Sequence, residues 1–371
     1  MKKIGIVGAG VSGLTLACLL KKNTDYDISI FEKDNLKFNN INGIQISPNA
    51  YRILSELNFD SFDQRKLCKI LGVSFHDYYS NSKIATMNFN LNDQSYITLN
   101  RSDLINFLID KFSLKDQIIE KEVIKIHGNS ILSKDEKKED FDILVIADGI
   151  FSNLRSNKIK PVYSGYSAFR GVFLDERQSN EIDLWMGKNL HFVKYPIDQN
   201  KNYSFTLVKK IPCNKDILNY DYEIKNLKEN NKLYFPHLNN ISFEDLNIKM
   251  WPIYKLNQIF YGEKDIFFIG DSAHGFIPSR AQGAAQAIED SYELFNLIAT
   301  NDILPKKLFQ IRKNRIKKIK RKSENNIIIF HLNFFILRKI RNFLLKIICS
   351  SKFLVKLINS YIFDYNYKKN L

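Results

Sequence analysis

Residues 3–20, KIGIVGAGVSGLTLACLL, restrict what this 371-residue chain can fold into more than any other stretch. A short apolar run enters Gly8-Ala9-Gly10-Val11-Ser12-Gly13 and continues as an apolar helix-forming segment. The glycines have GxGxxG spacing, and each position has its own requirement. Gly8 permits a tight turn, Gly10 lets the backbone approach a pyrophosphate, and Gly13 lets the helix pack on the strand. A second apolar run, residues 27–31, ends at Glu32, where a carboxylate can accept hydrogen bonds from a ribose. Strand, glycines, helix, strand and acid in that order imply a Rossmann-type nucleotide-binding unit.

The glycines also argue against reading Lys2, Lys3 and the following apolar residues as an export signal, because they fall in the middle of its hydrophobic region. The chain is therefore expected in the cytoplasm. Cys18, Cys68, Cys213 and Cys349 are far apart with no CxxC, which implies neither a disulfide framework nor a metal site.

Two further segments end apolar strands in ligand-facing loops. Residues 140–155, DFDILVIADGIFSNLR, run into Asp148-Gly149. Residues 265–293, DIFFIGDSAHGFIPSRAQGAAQAIEDSYE, run into Gly270-Asp271, pass His274, Pro278 and Gln282, and enter an Ala-rich helix near Gly283. A helix N-terminus there directs N–H groups and a positive dipole end at whatever lies over the loop, which suits an anionic or electron-rich group.

With GxGxxG in front, ADG near residue 148 and GDSAH…P…QG near residue 270, the chain resembles the single-component FAD-dependent aromatic hydroxylases of the para-hydroxybenzoate hydroxylase fold. The resemblance covers nearly the whole chain. Residues 42–50 (NGIQISPNA), 163–171 (YSGYSAFRG), 287–290 (AIED) and 329–332 (IFHL) look like the salicylate hydroxylase branch and its hydroxybenzoate hydroxylase relatives. Ala281 departs from the pattern where many relatives have glycine before Gln282-Gly283. Asn58 departs where a glycine commonly follows the helix ending at Leu57.

The resemblance implies an α/β fold in which a Rossmann-type FAD-binding domain (1–70, 100–160 and 262–305) is interleaved with a mostly antiparallel substrate domain (71–99 and 161–261). Residues 306–371 then form a basic, amphipathic helical C-terminal region. It implies that Gly8, Gly10, Ser12 and Gly13 cradle the FAD pyrophosphate, Glu32 the adenosine ribose, and Arg101 the flavin's phosphate or ribityl side. Gly43 joins this set, Asp271 holds the ribityl chain, and Pro278, Gln282 and Gly283 line the isoalloxazine. Asp148 and Gly149 support both FAD and the nicotinamide donor. The implied reaction uses NADH or NADPH and O₂ to hydroxylate a phenolic or related ring through a flavin C4a-hydroperoxide. No metal is required.

A phenol attacks better as its phenolate, so an acceptor near the substrate hydroxyl is expected. His191 is the candidate for that base. It lies in LHFVKYP, where alternation puts His191, Val193 and Tyr195 on one face of a strand. Gln282 can reach either flavin or substrate, and His274 shapes the loop. The runs at 70–99 and 162–251 alternate as a substrate-domain sheet does. The 28 Phe residues suit either a pocket for a planar ring or ordinary core.

Charge adds a separate constraint. Residues 306–371 hold 18 Lys and Arg against Glu324 and Asp364, so the net charge of +15 belongs entirely to this region. Ile340, Phe343, Leu344, Ile347 and Ile348 fall at helical spacing as an apolar stripe, followed by Leu354, Leu357, Ile358 and Tyr361. Such a helix either packs on the FAD domain or lies on an anionic membrane as a peripheral contact. Ubiquinone-ring hydroxylation at a membrane, isoprenoid epoxidation on the same fold and non-oxygenating FAD binding are the competing functions. A disulfide reductase would need CxxC and a second GxGxxG, and a halogenase WxWxIP. No nucleic-acid motif accompanies the charge.

Overall fold

Strands that are apolar on both faces must be covered on both faces, and the first sheet is built that way. Its order is β18 (Gly262–Glu263), β19 (Ile266–Phe268), β12 (Ile143–Ile146), β1 (Lys3–Val7), β2 (Asp27–Glu32) and β8 (Ile118–Glu120). All neighbours are parallel except β18 and β19, with Ile6 opposite Val145 and Ile30. Helix α1 (Val11–Asn23) is buried from Val11 to Leu20 because it is enclosed between this sheet, α3 (Arg101–Lys111) and α7 (Gly283–Ala299). The computed structural model describes residues 2–34, 42–89, 95–156, 158–211, 220–235, 238, 246–365 and 367. Cys213 lies outside them, and the other three cysteines are free.

The second sheet has the order β17 (Lys249–Leu256), β13 (Pro161–Leu174), β16 (Asn202–Lys210), β15 (Leu190–Pro196), β14 (Glu181–Gly187), β5 (Gly72–Asp77) and β6 (Lys83–Asn88). Only β14 and β5 pair in parallel. One face is aromatic core: Phe169, Trp185, Phe192 and Phe205 pack with Leu227 of α4 (Tyr220–Glu229) and with Phe235. Most of the buried Phe rings are thus core and not pocket lining. The opposite face, with Leu184, Met186, Val193 and Tyr195, meets C-terminal residues Phe330, Val355, Ile362 and Phe363.

A small sheet, β3 (Gly43–Ile46), β7 (Ile97–Asn100) and β4 (Leu67–Lys69), joins the two. Ile97 and Leu99 belong to the first core, while Thr98 Oγ1 donates to the Pro196 carbonyl at 2.5 Å. Gly43 is tight against the second sheet: a Cβ there would lie 2.4 Å from Ser204 Cβ and 2.8 Å from Tyr195 Cε2. The expected C-terminal helices are α8 (Pro305–Phe330), α9 (Phe335–Ser350) and α10 (Lys352–Phe363). No helix among the described residues is long and apolar enough to cross a membrane.

Both departures from the family pattern are left-handed backbone positions. Asn58 has φ 60° and Ala281 φ 51°. Glycine adopts this region without a Cβ penalty, Asn tolerates it, and Ala carries a cost of about 1–2 kcal/mol.

Helix α8 is not an appendage. Arg312 is fully buried and its guanidinium reaches Glu289 Oε2 at 2.5 Å and Asp290 Oδ1 at 2.7 Å, while Arg315 binds the same Glu289 at 2.5 Å. The first helix of the basic region is therefore part of the fold around α7. Removing one partner of such a cluster leaves buried charge uncompensated. Arg312→Met is expected to cost about 3–5 kcal/mol in urea unfolding, with little rescue by Arg312→Lys, which lacks the fork geometry.

Candidate active site

The carboxyl ends of four adjacent parallel strands converge on one edge of the first sheet. In order they are β19 with Gly270-Asp271, β12 with Asp148-Gly149, β1 with the glycine turn, and β2 with Glu32. Ligands bind along that edge in open α/β sheets. The glycine turn is as the spacing requires. Gly8 has φ +109° and lies against Ala147, and a Cβ at Gly13 would be 2.1 Å from the Gly8 carbonyl oxygen. Gly10 is different, since a Cβ there meets nothing within 4 Å. Glu32 Oε2 accepts a hydrogen bond from Ala9 N at 2.8 Å, which fixes the carboxylate beside the turn.

Helices α1 and α7 start alike. Each has an N-cap without a side-chain capping bond, Gly10 and Gln282 respectively, and no acid in the first turn. Open space also faces Gly283 at the start of α7 and Gly149, which has φ +86°. Two uncapped positive helix ends therefore open toward approachable space, where anionic groups are stabilised.

Charged side chains complete the edge. Arg101 and Asp271 are reached by solvent yet surrounded by protein, as groups lining a cleft are. Loss of water contact lowers the Arg101 guanidinium, opposed by Asp271; Arg170 also acts to lower it and Glu32 to raise it. Burial raises the Asp271 carboxyl, opposed by His274 and Arg101. Asp148 Oδ1 is buried with no hydrogen-bond partner among the described residues, and burial lifts this carboxyl to about 6. Pro278 and Gly283 are half-buried on the same loop and helix.

The loop is held from below by Asp290, which accepts hydrogen bonds from Gly270 N (2.8 Å), His274 Nε2 (2.6 Å), Tyr261 Oη (2.8 Å) and Arg312 Nε (2.7 Å). Burial alone would raise the Asp290 carboxyl; His274, Arg312 and the Gly270 N–H hold it down at about 2. Arg155 ties two loops together, donating to the Ser272 carbonyl at 2.6 Å and the Ile150 carbonyl at 2.9 Å. The 42–50 segment joins through Asn49 Nδ2, 2.5 Å from Glu289 Oε1.

Several expected side-chain roles change. Ser12 is buried in the α1–α7 seam, with Oγ 3.4 Å from the Ala287 carbonyl and Ser291 Oγ, so its hydroxyl is turned away from the edge. Gln282 is buried, its amide donating to Ser47 Oγ at 2.9 Å and accepting from Gln286 at 3.1 Å. These contacts hold the Gln282 amide against Ser47 and Gln286 at the start of α7. Gly43 is explained by its fit against Ser204 and Tyr195. His191 shares its face with Val193 and Tyr195, but it is not an open base. Its Nδ1 is 2.7 Å from His331 Nε2 and its ring packs edge-on to Phe330. Burial lowers His191 well below the usual histidine value and His331 to about 3, so the pair is neutral.

Arg312, Arg155, Asp290 and Arg170 carry this architecture without having been assigned roles from sequence. Asp290 lay in the recognised AIED segment and Arg170 in YSGYSAFRG. Arg312 gave no local signal, being one basic residue among many.

A family model described as an NAD(P)-binding Rossmann-like domain matches residues 6–57. The 3-amino-4-hydroxybenzoate 2-monooxygenase PtmB3 of Streptomyces platensis is 24% identical over 366 residues, covering 89% of this chain and 89% of the relative. The 6-hydroxynicotinate 3-monooxygenase of Pseudomonas fluorescens is 25% identical, covering 87% of this chain and 91% of its own. Over most of its length the chain is thus similar to monooxygenases named for hydroxylated aromatic rings. Their fold is shared as well: Klebsiella pneumoniae HpxO, solved with FAD and uric acid, superposes with a TM-score of 0.81 at 15% identity over 97% of both chains. FAD fits the open glycines, the unpaired Asp148 oxygen and the two uncapped helix ends described above.

Asp148 gives a pH test. Its folded carboxyl keeps its proton up to about 6 against an ordinary 3.8, so folding takes up a proton between these values and stability falls as pH rises through that window. In the FAD-free protein the loss is expected to reach up to about 3 kcal/mol between pH 4 and pH 6. Asp148→Asn should abolish it in urea titrations. Parallel curves for the two proteins would remove the burial assignment.

Proposed function

We propose that this chain is an NAD(P)H-dependent flavoprotein monooxygenase that hydroxylates a small phenolic or related aromatic substrate. The observation that carries the reading is the convergence of Gly8–Gly13, Asp148-Gly149 and Gly270-Asp271 on one carboxyl edge of parallel strands, beside two uncapped helix ends. In this reading the backbone at Gly10 receives the pyrophosphate, Glu32 the ribose, and Arg101 with Asp271 the phosphate and ribityl side. Pro278 and Gly283 border the ring, and the α7 N-terminus offsets negative charge on it. FAD, when bound, supplies acceptance of a hydride from NAD(P)H and activation of O₂.

The chain's own residues would bind, orient and shield the substrate. Arg170 lies where β13 meets the flavin side, close enough to influence Arg101 and Tyr195, and its buried Nε has no hydrogen-bond partner among the described residues. That unpaired donor suits an anionic or carbonyl group on the ring. Two of the sequence relatives are named for rings that carry both a hydroxyl and a carboxylate. The buried, neutral His191–His331 pair joins β15 to the residue that follows α8. The positive charge of residues 306–371 supports a peripheral contact with an anionic membrane as part of the same reading.

Two experiments test this. Gly10→Val adds a side chain into open space, so it should leave folding intact and abolish flavin retention and ring-stimulated NAD(P)H oxidation; a variant with normal flavin absorbance removes the pyrophosphate assignment. Arg170→Gln should raise KM for a carboxylated phenol by roughly 30-fold. An unchanged KM would put the substrate elsewhere.

A further inference from the structure

Helix α9 is turned inside out. Arg341 is its one fully buried residue, 5% exposed, with the guanidinium 3.3 Å from the Ile329 carbonyl and 3.0 Å from Asn342 Oδ1. It closes the C-terminal end of α8, where cations are favoured, and burial lowers it to about 10. Meanwhile Ile336, Ile340, Phe343 and Ile347 are 71%, 49%, 64% and 44% exposed. At 100° per residue these four fall within an arc of about 60° pointing away from the protein. Leu345, Ile348 and Cys349 face inward toward Phe75, Ile84 and Met87. The stripe read from sequence thus divides, with Ile348 packed and the rest in water.

We propose that α9 is a docking helix that lies flat on an anionic phospholipid membrane, with a headgroup phosphate in the cleft beside its first turn. This rests on the membrane contact proposed above and assigns it to one face. An apolar helix face bordered by lysines is what an interfacial helix presents, and Lys339 and Lys346 are exposed on its border. The patch continues onto α10 through Phe353 and Leu357, 73% and 60% exposed, with Lys352 and Lys356 alongside.

The cleft, about 530 Å³, is lined by Asp77, Tyr79, Lys188, Phe335, Arg338 and Lys339 among others. Three cations there outnumber the single carboxylate. Arg338 Nε is buried with no hydrogen-bond partner among the described residues, and its guanidinium lies over the Tyr79 ring at 5.4 Å. A phosphate oxygen is the group that satisfies such a donor. Charge complementarity decides between lipid and a second copy of this chain. A two-fold contact through this face would bring the lysines of both copies together, whereas an anionic surface pairs with them. With 16 residues α9 is too short to span a bilayer, so the face lies in the interface plane.

Docking there places the membrane next to the substrate-domain sheet. Phe330, whose carbonyl is 3.5 Å from Arg341, packs on His191. A ring substrate dissolved in lipid would be released beside that face.

The test is co-sedimentation of the full chain with phosphatidylcholine vesicles, with and without phosphatidylglycerol. The variants are Ile340→Ser/Phe343→Ser, Lys339→Glu/Lys346→Glu and Arg338→Gln. All lie on the exposed side or the cleft of α9 and outside the flavin edge, so NAD(P)H oxidation with a water-soluble ring should be unchanged. The wild type should pellet with anionic and not neutral vesicles. Each double variant should bind at least about tenfold more weakly, and Arg338→Gln should lose the preference for phosphatidylglycerol. No binding by the wild type overturns the proposal, as does equal binding by the double variants or a wild-type dimer that Ile340→Ser/Phe343→Ser dissociates. Binding that survives these variants but falls on reversing Lys317 and Lys318 of α8 leaves a membrane contact standing and removes α9 from it. The vesicle result is independent of whether oxygenation is the reaction.

Discussion

The buried charge cluster between α7 and α8 is the interaction on which the rest of the site depends. Asp290 and Glu289 lie side by side in a fully buried position, which is tolerable only because Arg312, Arg315, His274 and four neutral donors surround them. Each partner belongs to a different part of the edge. His274 and Gly270 fix the flavin-facing loop, Asn49 the segment leading from β3, and Arg312 the C-terminal helices. The loop's open positions, Asp271 and Gly283, are therefore held from beneath while their upper side stays free for a ligand. Such preorganisation lets fixed donors act on developing charge without rearranging during the reaction.

The parts legible in the sequence were those where local backbone geometry restricts residue type. Gly8 at φ +109°, Gly13 where a Cβ would fall 2.1 Å from the Gly8 carbonyl oxygen, and Gly270 at φ +65° each permit little but glycine, so their spacing reveals strand, turn and helix directly. The two departures, Ala281 and Asn58, are legible for the same reason, since both occupy the left-handed conformation that glycine normally fills. Alternation correctly put His191, Val193 and Tyr195 on one face.

What sequence could not resolve was the direction and partner of side chains set by distant segments. Ser12 points into a seam with residues 279 positions away, Gln282 toward Ser47, and His191 toward His331. Arg312 sits in a run of lysines and arginines whose composition reads as solvated surface, yet it is the most buried charge in the region. The reverse occurred in α9, where an apolar stripe that composition allows as core faces water because Arg341 takes the inward position to close α8. Charge count located the basic region but could not separate the buried cations of α8 from the outward faces of α9 and α10.

Oxygenation at this edge means transfer of one oxygen atom from O₂ to the ring. It is tested most directly by turnover of an accepted ring substrate with NAD(P)H under ¹⁸O₂, with the product analysed by mass. The expected product is a hydroxylated ring carrying a single labelled oxygen, formed in proportion to NAD(P)H consumed. Unlabelled product, or oxidation of NAD(P)H with no oxygenated ring from any phenolic substrate that binds, would contradict it.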